Sequence, residues 1–135
     1  MAVVKILVEG YSRNFDNKVE AVGTIALIIS KQNKIIVDTG NPSDSDLIIE
    51  KLKENGLKSE DINYVVNTHT HLDHIGCNGL FPKASFIDAY GSVVKGNVFE
   101  FFKEECVIDE EVKVITTPGH CIHDICVLVK TEKGV

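Results

Sequence analysis

The six residues from His69 to His74 constrain this chain most. They set three of its five histidines and one aspartate into the pattern H-x-H-x-D-H, directly after Tyr64-Val65-Val66 and a short polar step. Imidazole and carboxylate are the usual nitrogen and oxygen ligands of zinc, and a catalytic zinc commonly takes three protein ligands and keeps one position open. His69 and His71 supply two of the three. On an extended backbone side chains alternate, so the spacing points His69, His71 and Asp73 to one side and His74 elsewhere. The stretch can therefore feed two adjacent metal positions. Two metals about 3.5–4 Å apart can hold a bridging hydroxide between them, which gives a nucleophile without a serine or cysteine.

The rest of the chain supplies strands to carry such a loop. Ala2 to Glu9, Thr24 to Ser30 and Lys34 to Thr39 are rich in Val and Ile, and the polar turn Lys31-Gln32-Asn33 joins the last two into a hairpin. Asn41-Pro42-Ser43 breaks the chain. Asp44 to Asn55, with Leu47, Ile48 and Leu52 among charges, fits a short amphipathic helix ending before Gly56. Tyr64 to Val66, Ala84 to Ala89, Val112 to Thr116 and Ile125 to Lys130 read as further strands, while Phe99 to Glu104 fits strand and helix equally. The pattern predicts a mixed α/β fold with functional loops at strand ends. Thr131-Glu132-Lys133-Gly134 reads as a hairpin turn with Val135 opening the returning strand, so the expectation is a chain truncated inside a hairpin.

Composition narrows the class. A single domain over residues 1–135 follows from the length, and 44% hydrophobic with 25% charged residues is the balance of a chain with a packed core. Ile25 to Ile29 is far short of the ~20 apolar residues of a membrane-spanning helix, and the N-terminus lacks the pattern of a secretory signal. No membrane partner and a cytoplasmic location are expected. Four cysteines without a Cys-x-x-Cys pair read as reduced thiols: Cys106 and Cys126 as small buried residues, Cys77 and Cys121 with a stronger claim to a place near a metal. The net charge is −6, Arg13 is the only arginine and the thirteen lysines are scattered, which argues against a nucleic-acid surface. Glu104, Glu105, Asp109, Glu110 and Glu111 read as a solvated acidic face.

Three motifs in order carry a resemblance. They are Ile35-Ile36-Val37-Asp38-Thr39-Gly40, then His69-Thr70-His71-Leu72-Asp73-His74 followed by Gly76, then Thr116-Thr117-Pro118-Gly119-His120. Over roughly Thr24 to Lys130 the chain resembles the metallo-β-lactamase fold superfamily, in its zinc-hydrolase branch. Val8 to Ser12 and Gly79 to Pro82 look most like the short metallo-β-lactamase domain-containing protein 1 group, which is linked to hydrolysis of RNA phosphodiesters. The resemblance implies an αββα sandwich, of which this chain covers the first half and a little more. It implies that His69, His71 and His120 bind a first zinc and that Asp73 and His74 begin a second site, so that one or two ions are held. Asp73 would also orient the nucleophilic water. Asp38 would lie close by as a hydrogen-bond acceptor that orients loop groups or ligands. His123 matches no metal position of the family and reads as an ordinary polar residue, a substitute ligand or a substrate contact. Histidine at 71, where flavodiiron proteins carry glutamate, leans toward zinc.

Members of the family usually add a bridging aspartate and one more histidine from a second half, and neither has a counterpart before Val135. The expected function is a zinc hydrolase that uses a metal-bound hydroxide on an ester, thioester, lactone or phosphodiester; the substrate, whether a small molecule or RNA, is left open. The alternative is a catalytically incomplete metal-binding fragment or subunit that needs a second half, a homo-oligomer or another completing chain.

Overall fold

The computed structural model describes residues 1–135. In chain order the strands are β1 (Val3–Val8), β2 (Tyr11–Phe15), β3 (Lys18–Val22), β4 (Ile25–Ile29), β5 (Lys34–Val37), β6 (Tyr64–Val66), β7 (Ser85–Asp88), β8 (Ser92–Lys95), β9 (Val98–Phe101), β10 (Glu105–Val107), β11 (Val112–Thr116) and β12 (Ile125–Val129). The helices are α1 (Ser45–Glu54) and the single turn α2 (Leu72–Ile75). Seven strands form one sheet in the order β1-β4-β5-β6-β7-β8-β9, three form a second, β10-β11-β12, and β2-β3 stand apart as a two-stranded arm. The centre of the large sheet, β5-β6-β7, is parallel, and its flanks are antiparallel.

Alternation along the central strands sorts their side chains into two cores. Ile25 and Leu27 of β4, Ile36 of β5 and Val65 of β6 face one side, where Ile48 and Leu52 of α1 cover them with Ile62, Cys77 and Phe81. Ile48 and Leu52 are four residues apart and so lie on one helix face. Ile28, Ile35, Val66 and Ile87 face the other side and pack against Val112 and Val114 of β11 and Ile125 of β12. Helix, large sheet and small sheet thus stack as three layers, α, β and β, in the order expected of the first part of an αββα sandwich. No helix is long and apolar enough to cross a membrane.

The hairpin β4-β5 and the helix from Ser45 form where the apolar pattern places them, and Gly134 closes the expected turn by accepting from Thr131 N–H at 2.8 Å. Other expectations change. Leu72–Ile75 is helical, so the alternation that an extended backbone would give fails beyond His71, and Asp73 and His74 are placed by a helical turn instead. Phe99 to Glu104 resolves as the end of strand β9 followed by an irregular link. Cys126 is exposed rather than buried, because Ile125 takes the inward position of β12 and its neighbour must face out; Cys106 is half-buried. The acidic run is only partly a solvated face. Asp109 accepts from Ser30 Oγ and Asn33 Nδ2, each at 2.7 Å, and Glu111 accepts from Lys31 N–H at 2.8 Å and pairs with the N-terminal amine at 3.2 Å. Those two carboxylates fasten the β4-β5 turn to the turn before β11.

Candidate metal centre

Because β5 and β6 run parallel, the residues that follow them leave the sheet at the same edge, the usual position of a ligand site in such sheets. Asp38 follows β5, and Asn67 to His74 follow β6. The third loop arrives from the small sheet. Ile125 N–H donates to the Thr68 carbonyl at 2.9 Å, which fastens the start of β12, and with it the loop Thr117 to Asp124, against the histidine stretch.

The histidine stretch is held on both sides. Thr39 N–H donates to the His74 carbonyl at 2.9 Å and Gly76 N–H to the Gly40 carbonyl at 2.8 Å. The side-chain amides of Asn67 and Asn78 pair with each other at 2.9 and 3.1 Å. A Cβ at Gly76 would fall on the backbone of Asn41 and Pro42, so only glycine lets the two loops approach this closely.

Three rings meet at one point. His69 Nε2 stands 3.1 Å from His71 Nδ1, and His120 Nε2 stands 3.3 Å from the same nitrogen. Nitrogens bound at about 2.0–2.1 Å to a tetrahedral zinc lie about 3.3–3.4 Å apart, so the spacing fits such an ion. The tautomer of His69 agrees. Thr68 Oγ1 donates to Asp38 Oδ2 at 2.7 Å and therefore accepts from His69 Nδ1 at 3.1 Å, leaving the Nε2 lone pair turned toward the other two rings. Burial, followed by the nearby His74, pushes the His69 pKa down and favours this neutral form.

His74 stands beside them, its ring centroid 4.1 Å from that of His69. Its Nδ1–H donates to Asp38 Oδ2 at 2.6 Å, which leaves Nε2 facing Asp73 Oδ2 at 3.5 Å. That hydrogen bond to Asp38 is the main cause of a raised His74 pKa. Asp73 and His74 therefore present an oxygen and a nitrogen next to the three-imidazole point, a two-donor start to a second position. Asp38 sits under both groups, buried, with Oδ1 accepting from Thr68 N–H at 2.8 Å. Its backbone is left-handed (φ 62°), a conformation that costs a non-glycine residue ~1–3 kcal/mol and that here aims the carboxylate at two histidine-bearing elements.

Of the named residues, His69, His71, Asp73, His74 and His120 come together, with Asp38 beneath them. His123 does not join them: its ring lies 4.8 Å from that of Tyr90, beside Lys103 and Ile122. Cys77 is also outside, with its thiol donating to the Asn41 carbonyl at 3.0 Å. Cys121 is inside. One donor atom each from His69, His71, His120 and Cys121 fall within 4.8 Å of one another. Burial and the neighbouring Asp124 raise the Cys121 pKa, so its uncoordinated form is the thiol. Thr68 and Asp124 carry no motif of their own and gain a role only through position. Asp124 Oδ2 accepts from Cys121 N–H at 2.6 Å, which is the main reason that its carboxyl stays below the usual range, and its Oδ1 is buried without a partner.

Residues 20–134 match the family described as the Metallo-beta-lactamase superfamily. A protein of Methanocaldococcus jannaschii named as a probable metallo-hydrolase is 40% identical over 96 residues, which are 71% of this chain and 46% of that protein. Metallo-beta-lactamase domain-containing protein 1 of Xenopus laevis is 32% identical over 132 residues, 93% of this chain and 56% of that one. A solved Thermotoga maritima structure of metallo-beta-lactamase type superposes with a TM-score of 0.78 at 30% identity, covering 97% of this chain and 73% of that chain. The chain spans about half the length of the curated relatives it matches.

Proposed function

The chain belongs to the metallo-β-lactamase superfamily, and from that premise we propose that it holds the metal of a zinc-dependent hydrolase acting on an ester, thioester, lactone or phosphodiester. The observation that carries this reading is the convergence of the His69, His71 and His120 nitrogens at 3.1 and 3.3 Å. Zinc bound there supplies Lewis acidity, which polarises a substrate oxygen and makes a water acidic near neutral pH. The chain's own groups prepare that chemistry. Asp38 holds Thr68 and His74, so that His69 and His74 both turn an Nε2 outward. Asp73 keeps a carboxylate beside His74 Nε2, where it takes the role of orienting the attacking water and accepting its proton. Three imidazoles favour zinc over the harder divalent ions. Scattered lysines and a net charge of −6 favour a small substrate over RNA. Four free cysteines fit a reducing cytoplasm.

The test compares the zinc-loaded chain with His71→Ala on a thioester, a lactone and an aryl phosphodiester. Zinc content and turnover should fall together in the variant, turnover by ~100-fold or more against at least one substrate. Full turnover with the metal lost would refute the reading.

A second reading is a metal-binding subunit that becomes active only with a second half or a partner chain. Two observations favour it: the second position has only Asp73 and His74 as donors, and an open apolar groove lined by Val4, Ile28, Val37, Val127 and Val129 runs between the two sheets. Native mass measurement checks it. A metal-loaded monomer with hydrolase activity would exclude it.

A further inference from the structure

We propose that Cys121 is a fourth ligand of the metal held by His69, His71 and His120, so that the first position in this chain is a three-histidine, one-cysteine set. The inference rests on the reading of those histidines as metal ligands. Cys121 directly follows His120, and its Sγ lies 3.9 Å from His71 Nε2. A thiolate at about 2.3 Å and an imidazole at about 2.05 Å from a tetrahedral zinc stand about 3.5–3.6 Å apart, and one donor atom each from the three histidines and Cys121 lie within 4.8 Å of one another. His71 meets the other rings through Nδ1 and the thiol through Nε2, opposite nitrogens of one ring, so a shared centre requires the exposed His71 ring to reorient or the Cys121 side chain to swing to the Nδ1 side.

The backbone at Cys121 is fixed for this role. Its N–H donates to Asp124 Oδ2 at 2.6 Å, and its carbonyl accepts from Gly119 N–H at 3.0 Å, which together fix the backbone from which the thiol projects beside His71. No other thiol competes. Cys77 is buried against the Asn41 carbonyl, Cys106 packs against the second core, and Cys126 contacts the Thr117 hydroxyl at 3.1 Å. Coordination forms one sulfur–metal bond and releases the thiol proton to solvent, with no change of oxidation state.

Cobalt(II), titrated into the full chain under reducing conditions, is the probe. The wild type should develop the visible d–d bands of a tetrahedral site together with an intense near-ultraviolet sulfur-to-cobalt charge-transfer band. Cys121→Ser should keep the d–d bands and lose the charge-transfer band, and Cys126→Ser should keep both. Persistence of the charge-transfer band in Cys121→Ser, or its absence from cobalt-loaded wild type, overturns the thiolate ligand and leaves the histidine site standing. Absence of all d–d absorption overturns the histidine site, and the thiolate ligand with it.

Discussion

Asp38 is the residue on which the most geometry depends. A single carboxylate in a left-handed backbone accepts from Thr68 N–H, Thr68 Oγ1 and His74 Nδ1, and so sets the outward nitrogen of two histidines at once. Asp38→Asn keeps the size and one acceptor, but it puts an NH2 group against donors that need an acceptor. The expected outcome is zinc binding weaker by ~10–100-fold, measured by competition titration, with the circular dichroism of the fold unchanged. Equal affinity in the two proteins would remove Asp38 from the account. His69, His71, Asp73, His74 and His120 are legible in the sequence because their chemistry sits in short motifs. Thr68 and Asp124 are not legible: one acts by standing between Asp38 and His69, the other by reaching back to Cys121, and neither relation exists until distant strands pair.

At the scale of elements, strands with a buried face declare themselves and the others do not. β4, β5 and β6 carry Val and Ile into two cores, so the period-two pattern marks them. Every residue of β2 is exposed, and β3 has no fully buried residue, which leaves no apolar alternation by which to read the arm they form. Likewise the acidic stretch before β11 hides a structural aspartate. Burial is the largest single influence on Asp109 and would raise its pKa. Hydrogen bonds from Asn33 Nδ2, Ser30 Oγ and the N–H groups of Glu111 and Val112 override it and hold the carboxyl below its usual range. A depressed pKa stabilises the fold above the unfolded value of about 3.9, and that contribution is lost as pH falls through the folded value. Urea midpoints taken from about pH 5 to about pH 2.5 should therefore fall more steeply for the wild type than for Asp109→Asn. Parallel curves would show that Asp109 contributes nothing to the joint between the sheets.

Across the whole molecule, one edge of the parallel strands gathers the chemistry, and the gap between the sheets gathers the unpaired apolar surface. The three-layer stack positions the first: α1 and the small sheet press on opposite faces of β4-β5-β6, which leaves their loops little freedom except at the strand ends where the histidines lie. This arrangement is what the three motifs in their order imply, and the fold class was readable from them. The place of Cys121 beside His71 is readable in the sequence only as proximity to His120 along the chain, because that approach needs the contact between Thr68 and Ile125. That His69, His71 and His120 hold one zinc ion can be checked by zinc K-edge X-ray absorption on the zinc-loaded chain. Scattering from three imidazoles, beside that of the Cys121 sulfur, is expected around the ion, with the imidazole part reduced in His120→Ala. A zinc-loaded spectrum with only oxygen neighbours, identical in wild type and variant, would contradict it.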